Sequence, residues 1–392
     1  LTLWKKALLG ALCITLIQIA LLLSMHPSDS LLVQYHRLYQ WDSYHYGRIA
    51  IEGYFARSFD GRFYQESNVA FFPGYPLWIR FFQFLSQIRD VRIAAAIAAQ
   101  ICAVIFWNYF LLILLEWKLP ISLITFGVAW IICHPASFFL VAPYSESLFL
   151  AALLGFLYWD RRSGKIAFAM TLLHGFIATG TRIVGALCTV VHAGFNILMA
   201  HSKIKRGLIV GLITSLGAFS FFLFAYLKWG TWTLYFDNEK KGWGVVPDYL
   251  AFLKPALYTP FVPNWRDPNQ LSQISVPITV YSFSILIFAE LYYRKLNKNN
   301  WKHMVQFYSC ALPMIYITIC GRMSVNFMSM IRYHFPIHVV LILPLLYSVH
   351  ERGIHERGIK WFLRIASTVL ILLFLYMQLE LASLYVRGFW VA

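Results

Sequence analysis

The sequence predicts an all-α integral membrane protein of about eleven crossing helices, and three observations carry that prediction. Of 392 residues, 59% are apolar and only 13% charged, where soluble domains carry roughly a quarter charged. The apolar residues gather into long runs, such as 7–25, 93–115, 208–227 and 362–384, close to or above the ~18 residues that span a hydrocarbon core. The formal charge of +16 is spread as short basic clusters between these runs, which read as topology signals rather than as a surface for nucleic acid. Backbone polar groups in lipid need internal partners, and these runs are continuous rather than alternating, so they are helices and not barrel strands.

The first run, 7–25, follows Lys5 and Lys6 and is too long for a secretory signal; no small-residue cleavage pattern follows it, so it reads as a retained helix. Further helices are expected near 93–115, 119–141, 144–158, 166–180, 183–200, 207–228, 276–293, 303–320, 331–349 and 361–384. With them, Lys5/Lys6, Lys118, Arg161/Arg162/Lys165, Lys203/Lys205/Arg206 and the clusters at 294–302 and 352–360 all fall on the cytoplasmic side. The segment 71–86 would invert every later sign if it crossed, so it reads as an interfacial or re-entrant helix on the outer face, with an additional crossing and one violated loop as the alternative. The chain then forms one polytopic domain, 1–392, with two large outer stretches at 26–70 and 230–275. The six cysteines lie in or beside apolar runs without paired spacing, which points to neither disulfides nor a thiolate metal site.

Chemistry concentrates in the first outer stretch. Trp41-Asp42-Ser43-Tyr44-His45-Tyr46-Gly47-Arg48 is the densest ionisable cluster outside the cytoplasmic loops, and a helix over 43–52 would put Asp42 at its N-cap and Gly53 just past its end. Asp42 then either caps a surface helix or acts as a base, because His45 and Tyr46 follow it at helical spacing and share its face. Glu146, in Pro143-Tyr144-Ser145-Glu146-Ser147, is either an acid favoured in the first turn by the helix dipole or an ionisable group with work to do at a membrane face. Arg182 sits at the outer turn of a tight hairpin and needs an anion: Glu146, a lipid headgroup or a substrate phosphate. Arg322 and Arg332-Tyr333 form a second outer basic group. His134, His174 and His192 read as satisfied core residues. No zinc helix signature, phosphate-cradling glycine loop, nucleotide fingerprint or acidic pair for a metal-bound nucleotide sugar is present; no cofactor is certain, and a divalent cation stays open. Trp232, Trp243, Trp265 and Trp390 either stack on sugar or anchor at the interface.

Five motifs in order carry a family resemblance: Trp41-Asp42-x-x-His45-Tyr46 with Ile49-Ala50-x-x-Gly53-Tyr54; Ala70-Phe71-Phe72-Pro73-x-Tyr75-Pro76-Leu77; Ala142-Pro143-Tyr144-Ser145-Glu146-Ser147-Leu148-Phe149; Thr181-Arg182-x-x-Gly185; and Ile331-Arg332-Tyr333. Together they resemble the GPI mannosyltransferase 2 (PIG-V) family and its prokaryotic relatives across nearly the whole chain. The resemblance implies a GT-C-type multi-spanning helical bundle and a glycosyltransferase, in this family a mannosyltransferase, that uses a polyprenyl-phosphate sugar donor. It implies an acidic residue in the first outer loop as the key carboxylate, which maps to Asp42. The compact chain is more similar to a prokaryotic member in a cell membrane, with a lipid or glycan acceptor other than a GPI precursor.

The resulting expectation is catalysis by Asp42 with His45 and Tyr46, and substrate binding by Arg48, Tyr75, Tyr144, Glu146, Arg182, Arg322, Arg332 and Tyr333, on the outer face and with inversion of the linkage. A transporter or flippase of a lipid-linked sugar is the competing class; it would place its ionisable groups near the bilayer midplane and in matching halves, a pattern this sequence lacks.

Overall fold

The computed structural model describes residues 2–27, 30–56, 67–199, 204–254, 301–322, 324, 329–352 and 357–391. Among them every regular element is helical. The α-helices are α1 (Leu3–Ser24), α2 (Leu31–Arg37), α3 (Asp42–Glu52), α4 (Gly74–Ser86), α5 (Val91–Glu116), α6 (Ile121–Ile132), α7 (Glu146–Asp160), α8 (Lys165–Thr181), α9 (Ile183–Met199), α10 (Ile204–Trp229), α11 (Leu234–Trp243), α12 (Trp301–Arg322), α13 (Met330–Arg352) and α14 (Arg357–Val386). By length and composition, α1, α5, α10, α13 and the 367–386 part of α14 can cross a membrane; α6, α9 and α12 are shorter apolar helices. The expected helix at 276–293 and residues 255–275 of the second outer stretch lie outside the described residues.

The bundle is organised around α5 and α7. Helix α7 is buried at every position from Glu146 to Tyr158, as a helix that is apolar all round must be. α5 packs between α1 and α7, α8 packs against α7, α9 and α10, and α12 joins α9 to α13. α1, α10 and α14 turn rows of large apolar side chains outward, including Leu9, Leu16, Leu208, Leu212, Leu227, Leu372 and Tyr376. Water offers such rows no gain, whereas lipid solvates them freely.

Helices in lipid approach through small residues and interhelical hydrogen bonds, because burial against lipid tails gives little drive. A Cβ on Gly155 of α7 would run into the His174 ring of α8. One on Gly217 of α10 would meet the Phe176 carbonyl, the Thr179 hydroxyl and, at 2.8 Å, the Gly180 amide nitrogen of α8. Thr179 closes the same contact by donating to the Thr214 carbonyl at 2.5 Å. The core histidines are satisfied: His174 Nε2 lies 2.9 Å from the Tyr109 hydroxyl, His192 Nε2 2.9 Å from Asp160, and His134 Nε2 2.9 Å from His338 Nδ1.

The continuous helix expected at 119–141 is broken. α6 stops at Ile132, and a 3₁₀ turn follows at Ser137–Leu140. Pro135 explains the break: it has no N–H to give and disfavours helical backbone at His134. Residues 134–145 are buried throughout, and irregular backbone at membrane depth is tolerated only under such protein cover. α4, at 13 residues, is about 20 Å long, shorter than a ~30 Å core. It is pinned along α5 by Tyr75 donating to the Ala95 carbonyl at 2.7 Å and Trp78 to that of Ala98 at 3.0 Å, while Leu77, Phe81, Phe84 and Leu85 face outward.

The α8–α10 contact can be tested at Gly217. Because two of the three atoms a Cβ would strike belong to backbone, Gly217→Ala should lower stability in detergent by about 1–3 kcal/mol, read as a reduced thermal midpoint. An unchanged midpoint would contradict the close approach.

Candidate functional site

Three buried charges and one partly buried one, Arg182, meet at the helix ends beside α3. Asp42 Oδ2 lies 2.7 Å from Arg332 Nη1, Arg332 Nε lies 3.2 Å from Glu146 Oε1, and Arg182 Nη2 donates to that same oxygen at 3.0 Å. Glu146 is 0% exposed, Arg332 4% and Asp42 6%. Charges this deep persist only when matched, and here two carboxylates face two guanidinium groups. Arg332 is shared by both acids. Its Nε contact to Glu146 is an ion pair without the alignment of a hydrogen bond, and Glu146 Oε2 has no hydrogen-bond partner.

Local backbone delivers each member. Asp42 is the first residue of α3 and caps nothing; the expected capping role falls away because the cap position is Trp41, at φ 53 and ψ −116. A positive φ is costly for a bulky residue, about 1–3 kcal/mol, and persists only where the surroundings enforce it. The surroundings do so: the Trp41 indole donates to the Phe389 carbonyl at 3.1 Å and sits edge-on to Trp390, ring centres 5.0 Å apart. Gly53, at φ 81, ends the helix as expected.

Glu146 is the first residue of α7, entered from the buried break. Arg182 is the single extended residue, φ −148, between α8 and α9. Gly185 makes that turn possible, since a Cβ there would lie 2.5 Å from the Ala178 carbonyl. Arg332 sits in the first turn of α13, behind Ser329 at φ 66.

Aromatic side chains finish the arrangement. The Tyr46 and Ser145 hydroxyls share a 2.9 Å hydrogen bond, joining the first and third motifs. Burial, reinforced by Glu146 and Asp42 and opposed by Arg182 and Arg332, holds the Tyr46 phenol well above its ordinary pKa, so it stays a neutral donor. His45 stacks on Phe71 at 4.6 Å between ring centres. Burial lowers its pKa, Asp42 opposes and Arg48 adds to the lowering.

Beside this array opens a cavity of about 450 Å³, the size of a small-ligand site. Asp42, Tyr46, Arg182, Arg332 and Tyr333 line it, together with Phe71 and Phe72 of the second motif. Glu146 and Tyr144 stand behind that wall. Glu146 holds the two arginines, and Tyr144 lies under Arg332 with its hydroxyl on the Gln40 carbonyl at 3.2 Å. Tyr75 is buried and anchors α4. Arg48 points away, paired with Glu52 at 2.7 Å and lying over Phe55. The Arg322 side chain lies outside the described residues. Of the tryptophans, Trp243 and Trp390 reach the cavity wall, Trp232 stacks on Tyr226, and Trp265 is outside the described residues.

Sequence reasoning missed Lys240 of α11, which also lines the cavity. A lysine in the last turn of a short polar helix reads as a dipole partner, and nothing in the sequence sets it above Lys241. Among the described residues no group of three His, Cys, Asp or Glu side chains is placed to hold a metal ion. No protein-family model and no curated protein matches the chain.

The burial of His45 has a pH consequence. With its folded pKa below the ordinary 6.5, the unfolded chain binds the proton first, so this stabilisation is present above that value and lost as pH falls through it. Between about pH 7.5 and about pH 5.5 the thermal midpoint of the wild type should fall more than that of His45→Phe. Parallel profiles for the two proteins would contradict the partly buried, neutral imidazole.

Proposed function

We propose that the chain is a membrane glycosyltransferase of GT-C type, with about eleven crossings, that moves a sugar, mannose by the resemblance, from a polyprenyl-phosphate donor to an acceptor hydroxyl on the outer face. The observation that carries this reading is the Asp42–Arg332–Glu146–Arg182 array, which puts Asp42, Arg332 and Arg182 on the wall of a largely apolar cavity with Glu146 behind it. Such a wall offers a carboxylate for a hydroxyl proton and planar cations for a phosphate, next to room for lipid. That all five motifs of the resemblance converge on it supports the same reading.

In the proposed step Asp42 accepts the proton of the acceptor hydroxyl. The acceptor oxygen bonds to the anomeric carbon from the face opposite the phosphate. The bond between that carbon and the phosphate oxygen breaks, and its electron pair leaves with the polyprenyl phosphate, which gains one negative charge. The linkage inverts. A phosphate leaves readily, so one carboxylate is enough, unlike the acid and base pair of a glycosidase. Arg332 and Arg182 face the growing charge, where prepositioned cations lower a barrier most. Tyr46, kept neutral by burial, is a donor for a substrate oxygen.

The array also carries a restraint. As long as Arg332 holds Asp42 at 2.7 Å, one carboxylate oxygen is taken up by that pairing and is not turned toward an acceptor hydroxyl. A donor phosphate that draws Arg332 toward itself would free Asp42 at the moment the donor is in place. Glu146, behind the wall, would keep Arg332 and Arg182 aligned during the exchange.

Asp42→Asn keeps the size of the side chain and removes the base. Transfer of labelled sugar from a polyprenyl-phosphate donor to a host lipid extract should fall by at least about a hundredfold, with folding retained by size-exclusion and thermal profile. Turnover close to wild type would sink the assignment of Asp42. Label that changes leaflet in proteoliposomes without leaving its donor would favour the transport reading.

A further inference from the structure

The arginines of the array are committed to internal acids, so an anion entering the cavity meets a wall that is already neutralised. Lys240 differs. It lines the same cavity and makes no ion pair or hydrogen bond among the described residues, whereas Arg182 is held by Glu146, and Arg332 by Asp42 and Glu146.

A second observation lies one turn further along α11. Trp243 also lines the cavity, packed edge-on to His45 and Phe71, and its indole N–H is buried without an acceptor. A buried donor left unpaired costs about 1–3 kcal/mol. Phe236, Lys240 and Trp243 recur at helical spacing on the face that meets the cavity.

The helix that carries them is fixed. Leu234 is buried against Val69 and Ala225, Tyr235 packs on Phe72 at 5.2 Å, and Gly244 at φ 68 ends the helix. Two carboxylates share that wall: Glu239, directly before Lys240, and Asp237, which takes the Thr233 hydroxyl at 2.7 Å; neither forms an ion pair with Lys240.

The geometry points to α11 as the first docking element for the donor, with Lys240 taking its phosphate and the Trp243 indole N–H donating to an oxygen of the attached sugar. The assignment rests on the donor proposed above. In it the phosphate is captured by a cation that makes no ion pair among the described residues and is then passed to Arg332 and Arg182, which stabilise the leaving charge. The two kinds of cation thus divide binding from chemistry.

The test measures binding of two probes to purified protein in detergent, a short-chain polyprenyl phosphate and the same lipid phosphate carrying mannose. Lys240→Gln should weaken both about tenfold, the loss of one charge-assisted hydrogen bond, and raise KM for the donor more than it lowers kcat. Lys240→Arg should restore most of the affinity. Lys241→Gln removes the same charge one residue on, outside the cavity wall, and should bind as wild type does. Trp243→Phe keeps a ring and removes the N–H, so it should weaken the mannose-bearing probe and leave the bare phosphate unchanged. Wild-type affinity in Lys240→Gln, with turnover intact, would overturn this inference alone. Failure of the wild type to bind either probe would overturn it together with the proposed donor.

Discussion

Arg332 is the constraint on which the site depends, because a guanidinium buried to 4% exposure must be surrounded by acids that are themselves buried. Asp42 and Glu146 meet that demand from different helices, and Glu146 then requires Arg182. All four residues stand at helix beginnings or breaks. For Asp42 and Glu146, each the first residue of its helix, the unpaired N–H groups and dipole of the N-terminus add support. For Arg332, in the first turn of α13, the same dipole is unfavourable, so the ion pairs have more to offset there. This explains why the surrounding backbone accepts unusual conformations: Trp41 and Ser329 at positive φ, the interrupted helix before Glu146, and the one-residue break at Arg182.

Burial gives these charges two properties at once. Ion pairs that would be worth little in water become strong where water is excluded, and removing one partner leaves the other uncompensated. The array is therefore rigid toward solvent but open to exchange with an anion that can replace a carboxylate as the partner of Arg332. Asp42 and Arg332 face the cavity, and Glu146 does not. A ligand can compete for the first pairing and leave the second intact. That asymmetry makes the Asp42–Arg332 contact suitable as a latch and Glu146 as the fixed anchor for two cations.

Much of the helical layout was legible in the sequence, because hydropathy over some twenty residues reports directly on burial in lipid. α1, α5, α10, α13 and α14 coincide with the expected runs, and α4 occupies the segment set aside as a non-crossing helix. The break after Ile132 was not read, although Pro135 gave its signal, because the apolar run continues through it. Asp42 was placed at a cap where the structure puts a helical residue under ion-pair control; capping preference is local, and Arg332 acts on it from the other end of the chain. Spacing put Asp42, His45 and Tyr46 on one helical face; Asp42 and Tyr46 line the cavity, whereas His45 stacks on Phe71 and does not. Spacing could not separate Glu146 and Tyr144, which work behind the wall, from Arg182 and Arg332, which form it. Lys240 was invisible for the same reason: only tertiary packing distinguishes a lysine facing a cavity from its neighbour facing away.

The most direct test is a structure of the wild-type protein with a non-transferable polyprenyl-phosphate sugar analogue bound. The account predicts the phosphate against Arg332 and Arg182, Glu146 still holding both guanidinium groups, and Asp42 released from Arg332 toward the anomeric side of the sugar. An analogue seated in the cavity with the 2.7 Å Asp42–Arg332 pair unbroken, or a phosphate bound away from both arginines, would contradict it.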